Sequence, residues 1–473
     1  MADKNALLRE LPSVSALLDT DSLREACEQF GQAIVSRSAK AFVADLRSSV
    51  QSGDIQESIP GPEEVAAGIA EQLRQTDRLT LQPVINATGI LLHTGLGRSP
   101  LATEAIEAAI GAASGYCNVE LELANGKRTQ RSQTVDDLLC QLTGAEASHV
   151  VNNNAGATAL VLAALATNRE VIVSHGELIE IGGGYRLPEV IETFGARLRP
   201  VGTTNKTRLS DYENAIGEQS GSILVVHPSN YQISGFTQTP RIAEIASVAR
   251  ERGVPLVHDI GSGAMIDFAP FGCQAEPVAK ESVRSGADLV LFSGDKLLGG
   301  PQSGIIVGGK HWIDKVVQHP LNRALRVDKV TLAALRATLQ LYRKPEQAER
   351  SIPLLRFLRT SVQELKARAE AIADRVLPLI SEGQITTAKD EAYVGGGSVP
   401  QQAIESWCIV IRPTNSDVAT LAKALRMGQP SVVPRVQNDR VLLGLHGVFP
   451  EQDQTLAQAI TDSILTLSGA DNR

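Results

Sequence analysis

The sequence predicts an α/β protein with a large domain on a mostly parallel sheet, a helical domain before it and a small α/β domain after it. Three observations predict this. The first 80 residues show helical periodicity, broken by Pro60-Gly61-Pro62. Short β-branched apolar runs then alternate with helical stretches. After about residue 330 a long amphipathic stretch precedes two more apolar runs. The expected domains are residues 1–80, 81–330 and 331–473, an ordinary division for 473 residues.

In the first domain, apolar positions recur at helical spacing over Ser22–Arg47 and Glu63–Gln75. The domain carries 8 basic and 13 acidic residues, a net charge of −5. Three basic residues nevertheless fall on one narrow side of a helix, at Arg37, Lys40 and Arg47. They form either a basic stripe that contacts a partner or an ordinary solvated face.

The second and third domains are recognised by their apolar runs. Continuous runs without alternation are typical of strands buried on both faces of a parallel sheet. The amphipathic stretch Thr331–Arg375 is expected to be helical. The predicted strands of the two domains are His149–Val151, Val171–Val173, Ser222–Val226, Val254–Val257, Asp288–Phe292, Gly304–Val307, Cys408–Ile411 and Val441–Leu445.

Composition excludes several classes of protein. The 43% apolar and 21% charged residues are ordinary for a globular chain, and no apolar run approaches the roughly 18 residues of a membrane span. The start of the chain lacks a basic segment and an apolar core, so a cytoplasmic location is expected. The net charge of −8 argues against nucleic-acid binding through bulk electrostatics. Five widely spaced cysteines form no CxxC pair, and no metal site is expected.

Lys296 is the first candidate catalytic residue. It follows the apolar run Asp288–Phe292, lies in the Gly/Pro-rich segment Gly294–Gly304, and precedes another strand. The end of a parallel strand is where clefts form in such sheets. A partly desolvated amine there suits Schiff-base chemistry. The alternative is a turn lysine in solvent.

Asp259 ends the apolar run that begins at Val254. Burying an acid is costly without a cationic partner, and the ring nitrogen of a pyridine cofactor is such a partner. Asp259 would keep that nitrogen protonated, unless it is only a helix cap or turn residue.

Other segments offer groups for the same cofactor. Around residues 153–158, a predicted strand is followed by a small-residue turn and then by a predicted helix. Backbone N–H groups at such a helix start can cradle a phosphate. Ser293 could add a hydroxyl to the same phosphate, Asn230 could donate to a phenolic oxygen, and His175 could stack on the ring. Ser262 is also expected among the cofactor-binding residues. Each could instead be an ordinary cap, turn or core residue. The cradle consists of Asn154, Ala155, Gly156, Ala157 and Thr158.

Taken together, these groups occur in the chain order of pyridoxal 5′-phosphate (PLP) enzymes of the aspartate-aminotransferase fold, fold type I. More specific segments resemble bacterial selenocysteine synthases, the L-seryl-tRNA(Sec) selenium transferases. The resemblance covers nearly the whole chain. The segments that carry it are Leu11-Pro-Ser-Val14, Asn86–Leu101, Gly115–Leu121, Gly126-Lys-Arg128, His175–Gly183, Val201–Lys206 and Ser293–Gln302.

This resemblance implies a PLP enzyme that replaces the seryl hydroxyl of seryl-tRNA(Sec) by selenium from selenophosphate, through β-elimination and an aminoacrylyl intermediate. It implies a homodecamer of five dimers with shared active sites, and an N-terminal domain that binds tRNA by shape. It assigns the PLP lysine to Lys296, a neighbouring acid to Asp295, and anion binding to Arg98, Arg323 and Arg326. The last two are expected on one helical turn.

Two rival functions stay open. One is a PLP lyase acting on a small amino acid or amino-sugar acid, which the N-terminal helical domain disfavours. The other is an inactive scaffold that binds RNA. Retention of Lys296 and Asp259 argues against the second rival.

Overall fold

The computed structural model describes residues 4–55, 58–77, 81–273, 276–379, 385–414 and 416–469. The chain divides into two compact units, Met1–Pro83 and Val84–Arg473. The expected boundary at residue 80 lies outside the described residues and stays a prediction. Within the described ranges, no helix is both long and apolar enough to cross a membrane.

The N-terminal unit is helical where it is described. Ser13 and Thr20 begin the second and third helices by accepting from the N–H groups of Ala16 and Leu23, which satisfies donors that a helix start leaves free. Gly31, at φ +85°, separates the third helix from the fourth. The helices are α1 (Lys4–Glu10), α2 (Val14–Leu18), α3 (Asp21–Phe30), α4 (Gln32–Ser52) and α5 (Pro62–Asp77).

The three basic residues singled out from the sequence lie on α4. Arg37, Lys40 and Arg47 are exposed, while Val35 and Val43 of the same helix are buried against the other helices of the unit. The basic residues therefore form part of the solvent-facing side of α4.

The large sheet lies in the second unit. Its strands and the helices around it are β1 (Val84–Asn86), α6 (Thr103–Ala113), α7 (Gln133–Thr143), β2 (Ala147–Val151), α8 (Asn154–Ala166), β3 (Glu170–Ser174), β4 (Glu180–Ile181), β5 (Tyr185–Arg186), α9 (Leu187–Thr193), β6 (Arg197–Val201), α10 (Leu209–Ala215), β7 (Ser220–Val226), α11 (Ile242–Glu251), β8 (Leu256–Gly261), α12 (Ala279–Arg284), β9 (Leu289–Ser293), β10 (Gly304–Gly308), α13 (Lys310–Gln318) and α14 (Lys329–Leu341).

Seven of these strands pair in the order β2-β10-β9-β8-β7-β3-β6. Strand β10 is antiparallel to both of its neighbours, and the other pairs are parallel. A hydrophobic cluster packs on each face, as a doubly covered sheet requires. The predicted α/β fold with a mostly parallel sheet is confirmed. Strand β6 was not predicted, because its Arg-Leu-Arg-Pro-Val sequence is that of a polar edge strand.

The C-terminal part of the second unit has a second sheet, in the order β11-β12-β15-β14. Strand β1 joins this part by pairing with β13. The remaining elements are α15 (Pro345–Ser351), α16 (Pro353–Arg359), α17 (Val362–Val376), β11 (Ile385–Gly395), β12 (Ser398–Ile411), α18 (Val418–Met427), β13 (Ser431–Val433), β14 (Arg435–Gln437), β15 (Arg440–Gly444) and α19 (Asp453–Gly469).

The packing of helices α14 to α17 can be compared with the expected domain boundary at residue 330. Residues of α14, α15 and α16 pack into the core of the large sheet, whereas α17 packs with the second sheet. A division by packing therefore falls near residue 360. The division at 330 stays a proposal.

Candidate active site

A cavity of about 310 Å³ opens where β7, β8 and β9 end. The carboxyl ends of parallel strands meet at one edge of the sheet, where α/β proteins bind their ligands. The side chains or backbone that line it belong to Arg98, Asn153, Asn154, Ala155, Ile179, Ile181, Gly182, Tyr185, Leu187, Val226, His227, Ser229, Asp259, Gly261, Ser293, Asp295, Lys296 and Gln302.

Lys296 lies in the turn after β9 and is only 6% exposed. Burial and the positive charge of Arg98 lower the pKa of its amine, while the charges of Asp259, Asp295 and Glu276 oppose that shift. The Leu297 N–H donates to the Ser262 carbonyl at 2.9 Å and anchors the turn. A buried amine with a lowered pKa can act as a nucleophile or a base.

Asp259 lies on β8 and is 7% exposed. Asn154 Nδ2 donates to its Oδ1 at 2.8 Å, and the Thr158 hydroxyl donates to its Oδ2 at 2.9 Å. Burial raises the pKa of the carboxyl group, against these hydrogen bonds and the charge of Lys296. A cationic group in the cavity would favour the ionised carboxylate.

The start of helix α8 differs from the phosphate cradle predicted for residues 154–158. The Asn153 side chain caps the helix by accepting from the Gly156 N–H at 2.8 Å, and the Asn153 carbonyl accepts from Ala157. The N–H groups of Asn154 and Ala155 remain directed out of the helix start. Of the five predicted cradle residues, only these two line the cavity. Asn153 was missed, although an Asn before a helix is a recognisable cap.

The structure does not bring every other predicted cofactor residue to the cavity. Ser293 lines it, but His175 and Asn230 are exposed and do not line it. His175 follows the last residue of β3 in a 3-10 turn, and Asn230 donates instead to the Glu180 carbonyl at 3.0 Å. Ser262 is fully buried outside the lining, and its hydroxyl finds no partner among the described residues.

Tyr185 and His227 are titratable lining residues that sequence reasoning missed. Tyr185 hydrogen-bonds to Thr158, and burial with the charge of Asp259 raises the pKa of its phenol. His227 directly follows β7, and its N–H donates to the Asp259 carbonyl at 2.9 Å. The position of His227 at the end of a predicted strand was the one signal that could have found it.

Arg98 and Asp295 form an ion pair at the cavity, with Arg98 Nη1 2.8 Å from Asp295 Oδ2. Arg98 has φ +63°, a backbone conformation that costs a non-glycine residue of the order of 1–3 kcal/mol. The ion pair and the Arg98 N–H bond to the His93 carbonyl at 3.1 Å hold it there. Such a strained, fixed residue is typical of a functional site.

The expectation that Arg323 and Arg326 share a helical turn is wrong. Arg323 is the last residue of a short 3-10 helix, Pro320–Arg323, and Arg326 instead pairs as an isolated bridge with Val151. Neither arginine lines the Lys296 cavity.

Arg326 lines a separate cavity of about 290 Å³ with Arg128, Arg131 and Glu120. Hydrogen bonds from Arg131 and Arg128 lower the pKa of Glu120 to about 2. With three arginines and one carboxylate, this cavity has an excess of positive charge.

Glu177 gives a prediction about pH and stability. It is buried, its Oε2 accepts from the Val226 N–H at 2.9 Å, and burial raises its pKa from 4.5 to about 8. Between these pH values the folded chain keeps a proton that the unfolded chain loses. The free energy of unfolding therefore falls as pH rises across that window, by a few kcal/mol. We expect Glu177→Gln to remove this fall, measured by urea unfolding at pH 5 and pH 8. Parallel pH profiles for the two proteins would contradict the expectation.

A family model described as L-seryl-tRNA selenium transferase matches residues 84–449. The L-seryl-tRNA(Sec) selenium transferase of Moorella thermoacetica is 42% identical over 459 residues, covering 97% of each chain. That of Hyphomonas neptunium is 45% identical over 439 residues, covering 92% of this chain and 94% of its own.

A solved structure of D-glucosaminate-6-phosphate ammonia-lyase is similar in fold. It has a TM-score of 0.57 and 22% sequence identity, and it covers 85% of this chain and 99% of its own. At that identity the likeness establishes the fold alone.

Proposed function

The chain belongs to the L-seryl-tRNA selenium transferase family, and from that premise we propose that it converts L-seryl-tRNA(Sec) to L-selenocysteinyl-tRNA(Sec) with selenophosphate as the selenium donor. It is an enzyme of PLP fold type I, and its cofactor is PLP. One observation carries the proposal: Lys296 and Asp259, chosen from the sequence for PLP chemistry, line one cavity.

The residues of the cavity fit PLP. Lys296 offers an amine for the aldehyde, and Asp259 offers a buried carboxylate for the ring nitrogen. The N–H groups of Asn154 and Ala155 offer donors at a helix start for the phosphate. The Asn154 Oδ1 atom is buried and has no hydrogen-bond partner among the described residues. An unpaired buried acceptor is costly, and a ligand in the cavity can satisfy it.

When bound, PLP supplies an electron-poor ring that stabilises negative charge at the seryl Cα. Asp259 keeps the ring nitrogen protonated, and its three donors (Asn154, Thr158 and the Gly261 N–H) hold the carboxylate in place. The neutral amine of Lys296 takes the Cα proton, which its lowered pKa favours. The seryl hydroxyl leaves Cβ as water with that proton, the selenium of selenophosphate adds to Cβ as a proton returns to Cα, and hydrolysis of the Se–P bond releases phosphate.

Asp295 has two roles in the proposal. Its ion pair fixes Arg98 at the cavity, and its carboxylate is near enough to Lys296 to affect the pKa of the amine. Asp295 can therefore assist proton transfer at Lys296 while it orients the arginine.

We propose Arg98, Arg323 and Arg326 as the selenophosphate site. Guanidinium groups match a multiply charged oxyanion with forked donors. Arg98 lines the Lys296 cavity, whereas Arg323 and Arg326 are exposed and lie outside it. In the proposed decamer of five dimers, Arg323 and Arg326 would reach the site of another subunit.

The arginine proposal predicts a specific defect. In Arg98→Ala, Arg323→Ala and Arg326→Ala, we expect the selenophosphate concentration for half-maximal rate to rise at least about tenfold, the equivalent of one lost charge-assisted contact. Cofactor absorbance and seryl-tRNA binding should stay normal. Arg284→Ala, which changes an exposed arginine on α12, is the control. A normal selenophosphate dependence in all three variants would remove these residues from the site.

The N-terminal unit is proposed to bind tRNA(Sec) through a small number of specifically positioned side chains rather than through an overall positive charge. The exposed residues Arg37, Lys40 and Arg47 on α4 support this, although the unit's net charge is negative. A cytoplasmic location is part of the same proposal, because aminoacyl-tRNAs are made there.

A small-substrate PLP lyase remains the alternative, and its only support is the fold similarity to the ammonia-lyase. The deciding experiment incubates the purified protein with selenophosphate and seryl-tRNA(Sec), and separately with D-glucosaminate 6-phosphate. We expect mass spectrometry to find selenocysteine on the tRNA and no ammonia from the sugar acid. Ammonia release without selenocysteine would establish the lyase.

A further inference from the structure

The turn between β11 and β12 brings glycine backbone close to Lys296. Gly395 pairs with Ser398 across the turn, so Gly396 and Gly397 are its central residues. Both have positive φ, +66° and +71°, as a two-residue type I′ hairpin requires. A Cβ placed on Gly397 would lie 3.8 Å from Asn230 Cβ and 3.9 Å from Lys296 Nζ, in van der Waals contact with both. A side chain at position 397 would therefore lie between Asn230 and the lysine that we propose as the base.

The position of this turn is fixed by main-chain contacts. Tyr393 and Val394, just before the turn, form three backbone hydrogen bonds of 2.7–2.9 Å with residues 89–92. A Cβ on Gly395 would overlap the side chain of Ile90. The turn therefore cannot shift easily to make room for a side chain at position 397.

Serine carried by tRNA and free serine differ in the charge of their carboxyl group. The seryl group of an aminoacyl-tRNA is a neutral ester with a large nucleoside attached, whereas free serine carries a carboxylate. A carboxylate is best bound by a free guanidinium fork. Among the described residues that line the cavity, the one arginine is Arg98, which is paired with Asp295 and is already assigned to selenophosphate in the proposed function. Gly397 adds no charge and leaves space beside Lys296.

We propose that Gly397 is a specificity-determining residue that favours seryl-tRNA over free serine. Its missing side chain leaves room for the ester and its nucleoside, and its neutrality gives no counter-charge to a free carboxylate. This inference rests on the proposed function, because it concerns the same cavity and the same substrate.

The first test compares two glycine variants of the full-length protein loaded with PLP. Gly397→Ala puts a methyl group beside Lys296. Gly253→Ala is the matched control, since Gly253 has φ +69° and open space around its Cβ position. We expect kcat/KM for seryl-tRNA(Sec) to fall at least about tenfold in Gly397→Ala relative to Gly253→Ala. Cofactor absorbance and melting temperature should be equal in the two variants.

A second variant tests the charge argument. Gly397→Arg would aim a guanidinium at the cavity. We expect free L-serine to change the cofactor absorbance of this variant at concentrations that leave the wild-type spectrum unchanged.

Two results overturn the inference: equal kcat/KM in the two alanine variants, or loss of cofactor absorbance in Gly397→Ala alone, which would mark a structural role. Failure of the wild type to make selenocysteinyl-tRNA is a different result. It rejects the proposed function itself.

Discussion

Lys296→Ala is expected to abolish turnover, with a loss of at least about 10⁴-fold in kcat, because the variant loses both the amine that holds the cofactor and the proposed base. Borohydride reduction followed by peptide mass spectrometry should find no cofactor attached to the variant chain. Binding of tRNA(Sec) should remain near normal, since the change lies in the second unit and the N-terminal unit is untouched.

The matched control is Lys280→Ala, which changes an exposed lysine on α12. It should keep normal turnover and normal borohydride attachment. If Lys296→Ala still yields a chain with covalently fixed cofactor, the reactive lysine is elsewhere and the assignment of the cavity is wrong.

Asp259→Asn is expected to keep the cofactor but to lose about 10²-fold or more in kcat. An amide cannot carry the negative charge that keeps a ring nitrogen protonated. Its NH₂ group would also face one of the donors that now bond the carboxylate, from Asn154 or Thr158. The measurement is steady-state turnover together with cofactor content from absorbance.

Asp374→Asn serves as the control, because Asp374 is an exposed carboxylate on α17. It should behave as the wild type in both measurements. Near-normal turnover in Asp259→Asn would remove Asp259 from the mechanism, and loss of the cofactor would give it a binding role instead.

The central chemistry could be predicted because it depends on strand ends. Lys296 and Asp259 each follow an apolar run, and the runs became β9 and β8, which are neighbours in the sheet. Neighbouring parallel strands end at one edge, so both side chains reach the same cavity. The resemblance to selenocysteine synthases is confirmed by the family model and by relatives that match along nearly the whole chain.

The remaining features depend on contacts between distant parts of the chain. The spacing of Arg323 and Arg326 predicts a shared helical turn, but the 3-10 helix ends at Arg323 and Arg326 pairs with Val151 instead. His175 follows a strand end as Asp259 does, yet its local turn directs it to solvent. Gly397 approaches Lys296 only because residues 89–92 hold the hairpin in place. No local pattern in the sequence carries this information.

The most direct test of the central claim, that the Lys296 cavity acts on serine carried by tRNA, is an absorbance titration of the PLP-loaded enzyme. The spectrum of the bound cofactor is recorded as seryl-tRNA(Sec) is added, and then as free L-serine is added at the same concentrations. We predict a saturable spectral change with seryl-tRNA(Sec) and none with free serine. A change with free serine alone, or with neither compound, would contradict the account.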